Sequence, residues 1–263
     1  MTTTTEKAAT VAKTGVPLAG FGKLVVSEAK LVLRDTAGVV IPIGLPMLIM
    51  LMNGMGSDGE GIPEFGGLPV LDALIVPMTI VMVVALVGVV NLPSFLATYR
   101  KTGVLKRLSV TPMPPMLVLV AQTVVSFVQS LIGVGLALML AVLAFDVSAP
   151  RSPLLAIGVF LLLAATMYAV GMLVAAVSPT PNSSVAIGLV AFFAMMAGGG
   201  GFGGRDALPE WLATIGAYLP YGAGIDGLSA AWMGAAPNVL PLVTSGGIAV
   251  LAAGAAIMVF RKN

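Results

Sequence analysis

The chain has 263 residues, of which 58% are hydrophobic and 9% charged, with a mean hydropathy of +1.06; a soluble domain carries about a quarter charged residues, so this is an integral membrane protein. It contains no cysteine and no histidine, which excludes a disulfide framework, thiol-based metal or redox chemistry, and the commonest general base and proton relay near neutral pH. The net charge of +2 comes from basic residues spread along the edges of apolar runs and not gathered in one patch, which excludes nucleic acid as a partner.

Met1 to Gly15 is small and polar, with a threonine run from Thr2 to Thr5 and no apolar core leading to a cleavage site. It is expected to be a disordered tail and not a secretory signal. Residues 16–35 read as an amphipathic helix lying in the membrane interface: Lys23, Ser27, Lys30 and Arg34 share one side, and Phe21, Leu24, Val25, Leu31 and Val32 the other. Glu28 falls on the apolar side. It is either a charge buried at an internal contact or a carboxylate reaching the headgroups beside Lys23 or Lys30, and the second reading is preferred.

Residues 36–263 predict an all-α membrane domain of six transmembrane helices, where a crossing needs about 20 residues. They are Thr36 to Met52, with Pro42 and Pro46 inside; Val70 to Val90; Met116 to Phe145; Leu154 to Val177; Val185 to Gly198; and Pro237 to Phe260. Between the first two, Asn53 to Pro69 carries Asp58, Glu60 and Glu64 without a base, and is placed outside. Gln122, Ser126, Gln129 and Ser130 recur along one side of the third span, where they line a substrate path or hydrogen-bond neighbouring helices. Met47, Met50, Met52, Met195 and Met196 suit a lipophilic substrate and core packing equally well.

The glycine run Gly198 to Gly204 is too flexible for a helix interior. Within 199–236, Leu208, Trp211, Leu212, Ile215 and Leu219 form an apolar stripe, while Arg205, Asp206, Glu210 and Asp226 are expected to stay in water. This pattern predicts a re-entrant or surface-lying pair of short helices on the outer side, because non-spanning backbone at membrane depth must be shielded by protein or line a cavity.

The polar island from Asn91 to Pro112 carries Arg100, Lys101, Lys106 and Arg107 and no acid, which places it inside. The spacing of Leu96, Tyr99, Gly103, Leu105 and Leu108 suggests a short helix on the membrane surface, facing cytosolic partners. With both termini also inside, eleven of the 13 Lys and Arg fall on the inner side and only Arg151 and Arg205 on the outer.

Nucleotide chemistry has no home in the chain. No Gly-x-x-x-x-Gly-Lys-Ser/Thr loop is present, and the literal match Gly222-x-Gly-x-x-Gly227 follows no strand. Among acids only Asp72 lies at a span, near its outer end, whereas ion-driven carriers place ionisable groups well inside the membrane. The energy source is expected in another subunit.

Arg100 to Pro112 resembles the element between spans two and three in permeases of the type-2 ATP-binding-cassette (ABC) exporters, where the usual pattern is Arg-Glu-x-Gly-Thr-Leu-x-Arg-Leu-x-x-Thr-Pro. Gly103, Leu105, Arg107, Leu108, Thr111 and Pro112 match it, while Lys101 stands where a glutamate is common and Val104 where a threonine is. The outer segment is similar to the family again in Leu208-Pro209-Glu210-Trp211-Leu212, Leu219-Pro220-Tyr221 and Asp226-Gly-Leu228. The resemblance implies a half-transporter that pairs with a second permease subunit, as a homodimer or related heterodimer, in a bacterial plasma membrane. Each half would rest on a cytosolic ABC ATPase that binds ATP and Mg, with no cofactor in this chain. Within 91–112, Arg100, Lys101, Gly103, Leu105, Lys106, Arg107, Leu108, Thr111 and Pro112 would form the coupling helix. Substrate would move outward along the two-fold axis or enter sideways near spans one, two and five, with Met47, Met50, Gln122, Ser126, Gln129, Met195 and Met196 as candidate path residues. The expected cargo is a drug, antibiotic or lipid; a glycan or glycolipid exporter and a non-catalytic scaffold subunit are the alternatives.

Overall fold

A computed structural model describes residues 18–57, 59–103 and 116–262. Among them the backbone is helical apart from turns, with one isolated antiparallel bridge between Ile62 and Leu68. Six helices are long and apolar enough to cross a membrane. In chain order the elements are α1 (Leu18–Arg34), α2 (Thr36–Met55), a second span Leu71–Lys101 that contains α3 (Val76–Ala85) and α4 (Leu92–Lys101), then α5 (Met116–Phe145), α6 (Pro153–Val177), α7 (Pro181–Gly198), α8 (Glu210–Tyr218), α9 (Pro220–Met233) and α10 (Val239–Lys262). The second span is the pillar of the fold: 83% of its most apolar stretch is buried, against 17–33% for spans one, three, five and six. It packs on α2 and α5 to one side and on α6, α7 and α9 to the other, while α10 lies against α6.

The sequence reading ended this span at Val90, and the helix continues to Lys101. Asn91 and Pro93 look like a stop, yet Leu92, Leu96, Ala97 and Tyr99 are buried beyond them. The reason lies in two π-helical turns, Leu71–Ile75 and Leu86–Asn91, each closed two residues before a proline. At the second, the Leu92 N–H donates to Val87 O, one residue further back than in an α-helix. Pro93 has no N–H and cannot continue the normal ladder, so the wider turn absorbs the mismatch and the helix resumes. At 31 residues and about 1.5 Å per residue the span is roughly 46 Å long, well beyond the roughly 30 Å of hydrocarbon. The first half of the polar island is therefore the C-terminal end of span two and not a separate surface helix.

Glycines allow the central helices to approach closely. A Cβ on Gly171 of α6 would overlap the carbonyl oxygen of Gly88, and one on Gly188 of α7 that of Val89. These are the carbonyls one turn behind Pro93, deprived of its N–H, and the α-hydrogens of the two glycines lie against them. After the glycine run, α9 is nearly all buried while α8 exposes Trp211 and Ile215, at 66% and 51%. Of the predicted apolar stripe these two are exposed and Leu208, Leu212 and Leu219 half-buried, and the helix that follows is the buried one. A Cβ on Gly216 of α8 would overlap the Gly198 oxygen, so this corner also depends on glycine.

Candidate functional site

At its C-terminal end, span two is tied on two sides. The Tyr99 hydroxyl donates to Glu28 of α1, and both residues are buried, 7% and 4% exposed. This settles Glu28 as an internal contact and corrects the preferred reading of a headgroup carboxylate, because its side chain is buried against Tyr99 of α4. Burial pushes the Glu28 carboxyl above the ordinary carboxylate range, and the Tyr99 hydrogen bond opposes that shift in part. On the other side, the Arg100 guanidinium donates to the carbonyls of Ala175 and Ala176, each at 3.0 Å. Those carbonyls belong to the last turn of α6, where helix carbonyls lack intrahelical partners and a cation is favoured.

Helix α4 then ends at Thr102, whose N–H returns to Thr98 O, and Gly103 follows with a φ of 71°. Only glycine adopts that left-handed turn without strain. Lys101 is exposed. The structure thus places Arg100, Lys101 and Gly103 at one helix terminus; the expectations for Leu105, Lys106, Arg107, Leu108, Thr111 and Pro112 lie outside the described residues.

Higher in span two, Asn91 joins a buried polar clasp. Pro42 in α2 has no N–H to give to Gly38 O, so that carbonyl has lost its helical donor. Asn91 Nδ2 donates to it at 2.9 Å and Gln129 Nε2 at 2.7 Å, while Asn91 Nδ2 also reaches Gln129 Oε1 at 3.0 Å. The Gly38 N–H is capped by Asp35 at 3.1 Å. Nearby, the Tyr168 hydroxyl donates to Ser126 O and to Ser130 Oγ, at 3.2 and 2.8 Å. Gln129 and Ser130 therefore bond across helices. Gln122 and the Ser126 hydroxyl are buried without a hydrogen-bond partner among the described residues.

Of the other candidate path residues, Met50 is fully buried on α2 and Met47 half-buried, while Met195 and Met196 are buried near the outer end of α7, Met196 against Gly201. Helix α2 packs on α3 and α5, whereas α7 packs on α4 and α8, so the two methionine pairs have different neighbours. A cavity of about 340 Å³ opens between the end of α2 and the start of span two, lined by Asn53, Ser57, Glu60 and Val70 among others. None of the candidate path residues lines it.

The outer motif is held by short polar links. Arg205, after the glycine run, pairs with Asp226 in α9, and both are partly exposed; they were expected to stay in water, and water still reaches them. Leu219 and Pro220 form the corner between α8 and α9, whereas Pro209, Glu210 and Trp211 are exposed and Leu208 is half-buried. Asp72 is no ion site. It accepts from the Ser148 N–H at 2.9 Å and from the Ser148 hydroxyl, while Trp232 Nε1 donates to Ser148 O at 3.1 Å. Among the described residues no three His, Cys, Asp or Glu stand together as a metal site.

Sequence reasoning missed the clasp and the Tyr99 tie. The clasp had a signal, because a proline at position 42 always strips a donor from position 38. The tie had only the misplaced charge of Glu28.

Among the described residues, a long buried helical pillar, five further spans around it and a pair of short helices before the last span define a multi-pass membrane protein. The sequence profile of the ABC-2 type transporter, the membrane component of ABC transporters, matches residues 20–233. The chain belongs to that family, whose permease domains work with ABC ATPase partners. No match to it is found among the curated proteins.

Proposed function

We propose that this chain is the permease half of an ATP-driven exporter that moves a lipophilic compound out of the cytoplasm or inner leaflet of a bacterial plasma membrane. It pairs with a second permease subunit and rests on two cytosolic ATPases that bind ATP and Mg. Both termini face the cytoplasm. The observation that carries the reading is the two-sided tie of span two at Tyr99 and Arg100, beside the basic island. A push from an ATPase on the island enters span two at Lys101, and the two ties pass it to α1 and to α6. Apolar, methionine-containing helix faces and the low aromatic content of 6% favour a lipophilic cargo over a glycan.

The test is co-expression with a candidate soluble ABC ATPase, sought in the neighbouring reading frames, then purification in lipid and ATP-dependent accumulation of a fluorescent lipophilic dye in inside-out vesicles. Arg100→Gln and Tyr99→Phe are expected to lower ATP-dependent uptake about fivefold or more, as coupling energies of roughly 1–3 kcal/mol imply, with the six spans still inserted. If no ATPase co-purifies and both variants behave as the parent, the scaffold reading replaces this one. Uptake only into right-side-out vesicles would reverse the direction of transport.

A further inference from the structure

We propose that the π-helical turn Leu86–Asn91 is a swivel within span two, and that Asn91 and Gln129 are the positioning residues that hold it in the state seen here. The inference rests on the proposed coupling function only for what the swivel serves. Its physical basis is local. The turn contains one residue more than an α-helix needs, because Leu92 N–H bonds Val87 O and not Gly88 O. If that bond passes to Gly88 O, α4 turns by about 100° and shifts by about 1.5 Å relative to α3, the step of one helical residue. Pro93 removes the next N–H, so the segment has fewer ladder bonds to break on the way.

The surroundings fit a moving joint. Gly171 and Gly188 offer no side chain to the carbonyls of Gly88 and Val89, so the walls at the turn are smooth. The opposite side bears the latch. Asn91 is the last residue of the turn, and it is bound to Gly38 O and Gln129 in the present register. Rotation of α4 carries Asn91 away from both and returns Gly38 O, which Pro42 cannot serve, to Gln129 alone. The same rotation swings Tyr99 and Arg100, and with them the ties to α1 and α6. Asn91 and Gln129 therefore act through span two and need no contact with substrate.

The chain is naturally free of cysteine, so Thr98→Cys on α4 and Asn182→Cys at the start of α7, both exposed, can carry spin labels without other changes. Distances between them are measured by pulsed electron resonance on the full chain in lipid nanodiscs, without any ATPase. Asn91→Ala is expected to add a second, displaced distance to that of the labelled parent. Deletion of Val90 is expected to keep the parent distance alone, because it removes the extra residue and leaves both flanks facing as before. In an uninterrupted α-helix the same deletion would turn everything beyond it by about 100°. An unchanged distribution in Asn91→Ala, or a displaced distance on deleting Val90, overturns the swivel; if Asn91→Ala does not fold, the deletion decides. These distances are read on the chain by itself, so they fail or hold independently of whether an ATPase associates.

Discussion

Glu28 shows how one residue can be legible in sequence and misread. A carboxylate on the apolar side of a surface helix has two low-cost solutions, water or a buried donor, and only the position of Tyr99, 71 residues away, decides between them. Its raised pKa has a definite sign for stability. A carboxyl whose folded value lies above its unfolded one adds stability below the unfolded value, and loses that contribution as pH rises through the folded one. Thermal midpoints of the chain in lipid, measured from the ordinary value of 4.5 upward, should fall more in the parent than in Glu28→Gln, which has no proton to lose. Tyr99→Phe removes the donor and should cost about 1–3 kcal/mol, the usual penalty for stranding a buried acceptor. Gly103→Ala should cost about 1–2 kcal/mol, because alanine pays to enter the left-handed turn that ends α4.

At the level of helices, hydropathy and charge were enough to find all six spans, because apolar runs of this length have no other stable home. The outer helix pair was also legible, since Pro220 and the glycine run break the chain at its ends. The length of span two was not. Asn91, Pro93, Arg100 and Lys101 are stop signals by composition, and only the burial of Leu92, Leu96 and Tyr99, with α4 packed on α6 and α7, turns them into a continuing helix. The close helix contacts were likewise hidden, because a glycine in sequence does not say what lies opposite. Their consequences can be separated by measurement. Gly216→Ala, which drives a methyl into the Gly198 carbonyl, should lower stability by about 1–3 kcal/mol or more. Gly135→Ala, with nothing within 4 Å of its new methyl, should leave it unchanged or raise it by up to about 1 kcal/mol. Thermal unfolding of both variants in the same lipid checks the contrast.

Across the whole molecule, the charge asymmetry makes a prediction about orientation. A membrane-impermeant maleimide should label Glu60→Cys in intact cells and Lys101→Cys only after the membrane is opened, both positions being exposed. The reverse pattern would invert the protein. Of the island's nine coupling candidates the structure describes Arg100, Lys101 and Gly103, at one helix terminus; the ties beside them were not readable, since they join residues far apart in the chain. One feature of the clasp also reaches beyond this chain. Pro42 on α2, Asn91 on span two and Gln129 on α5 are linked through a single missing hydrogen, the amide proton that proline lacks. Wherever a related chain restores that proton, the Gly38 carbonyl is served by its own helix, and two buried amide side chains lose their reason to be there. Substitution at these three positions should therefore be inherited as a set: proline with two amides, or an ordinary residue with apolar partners.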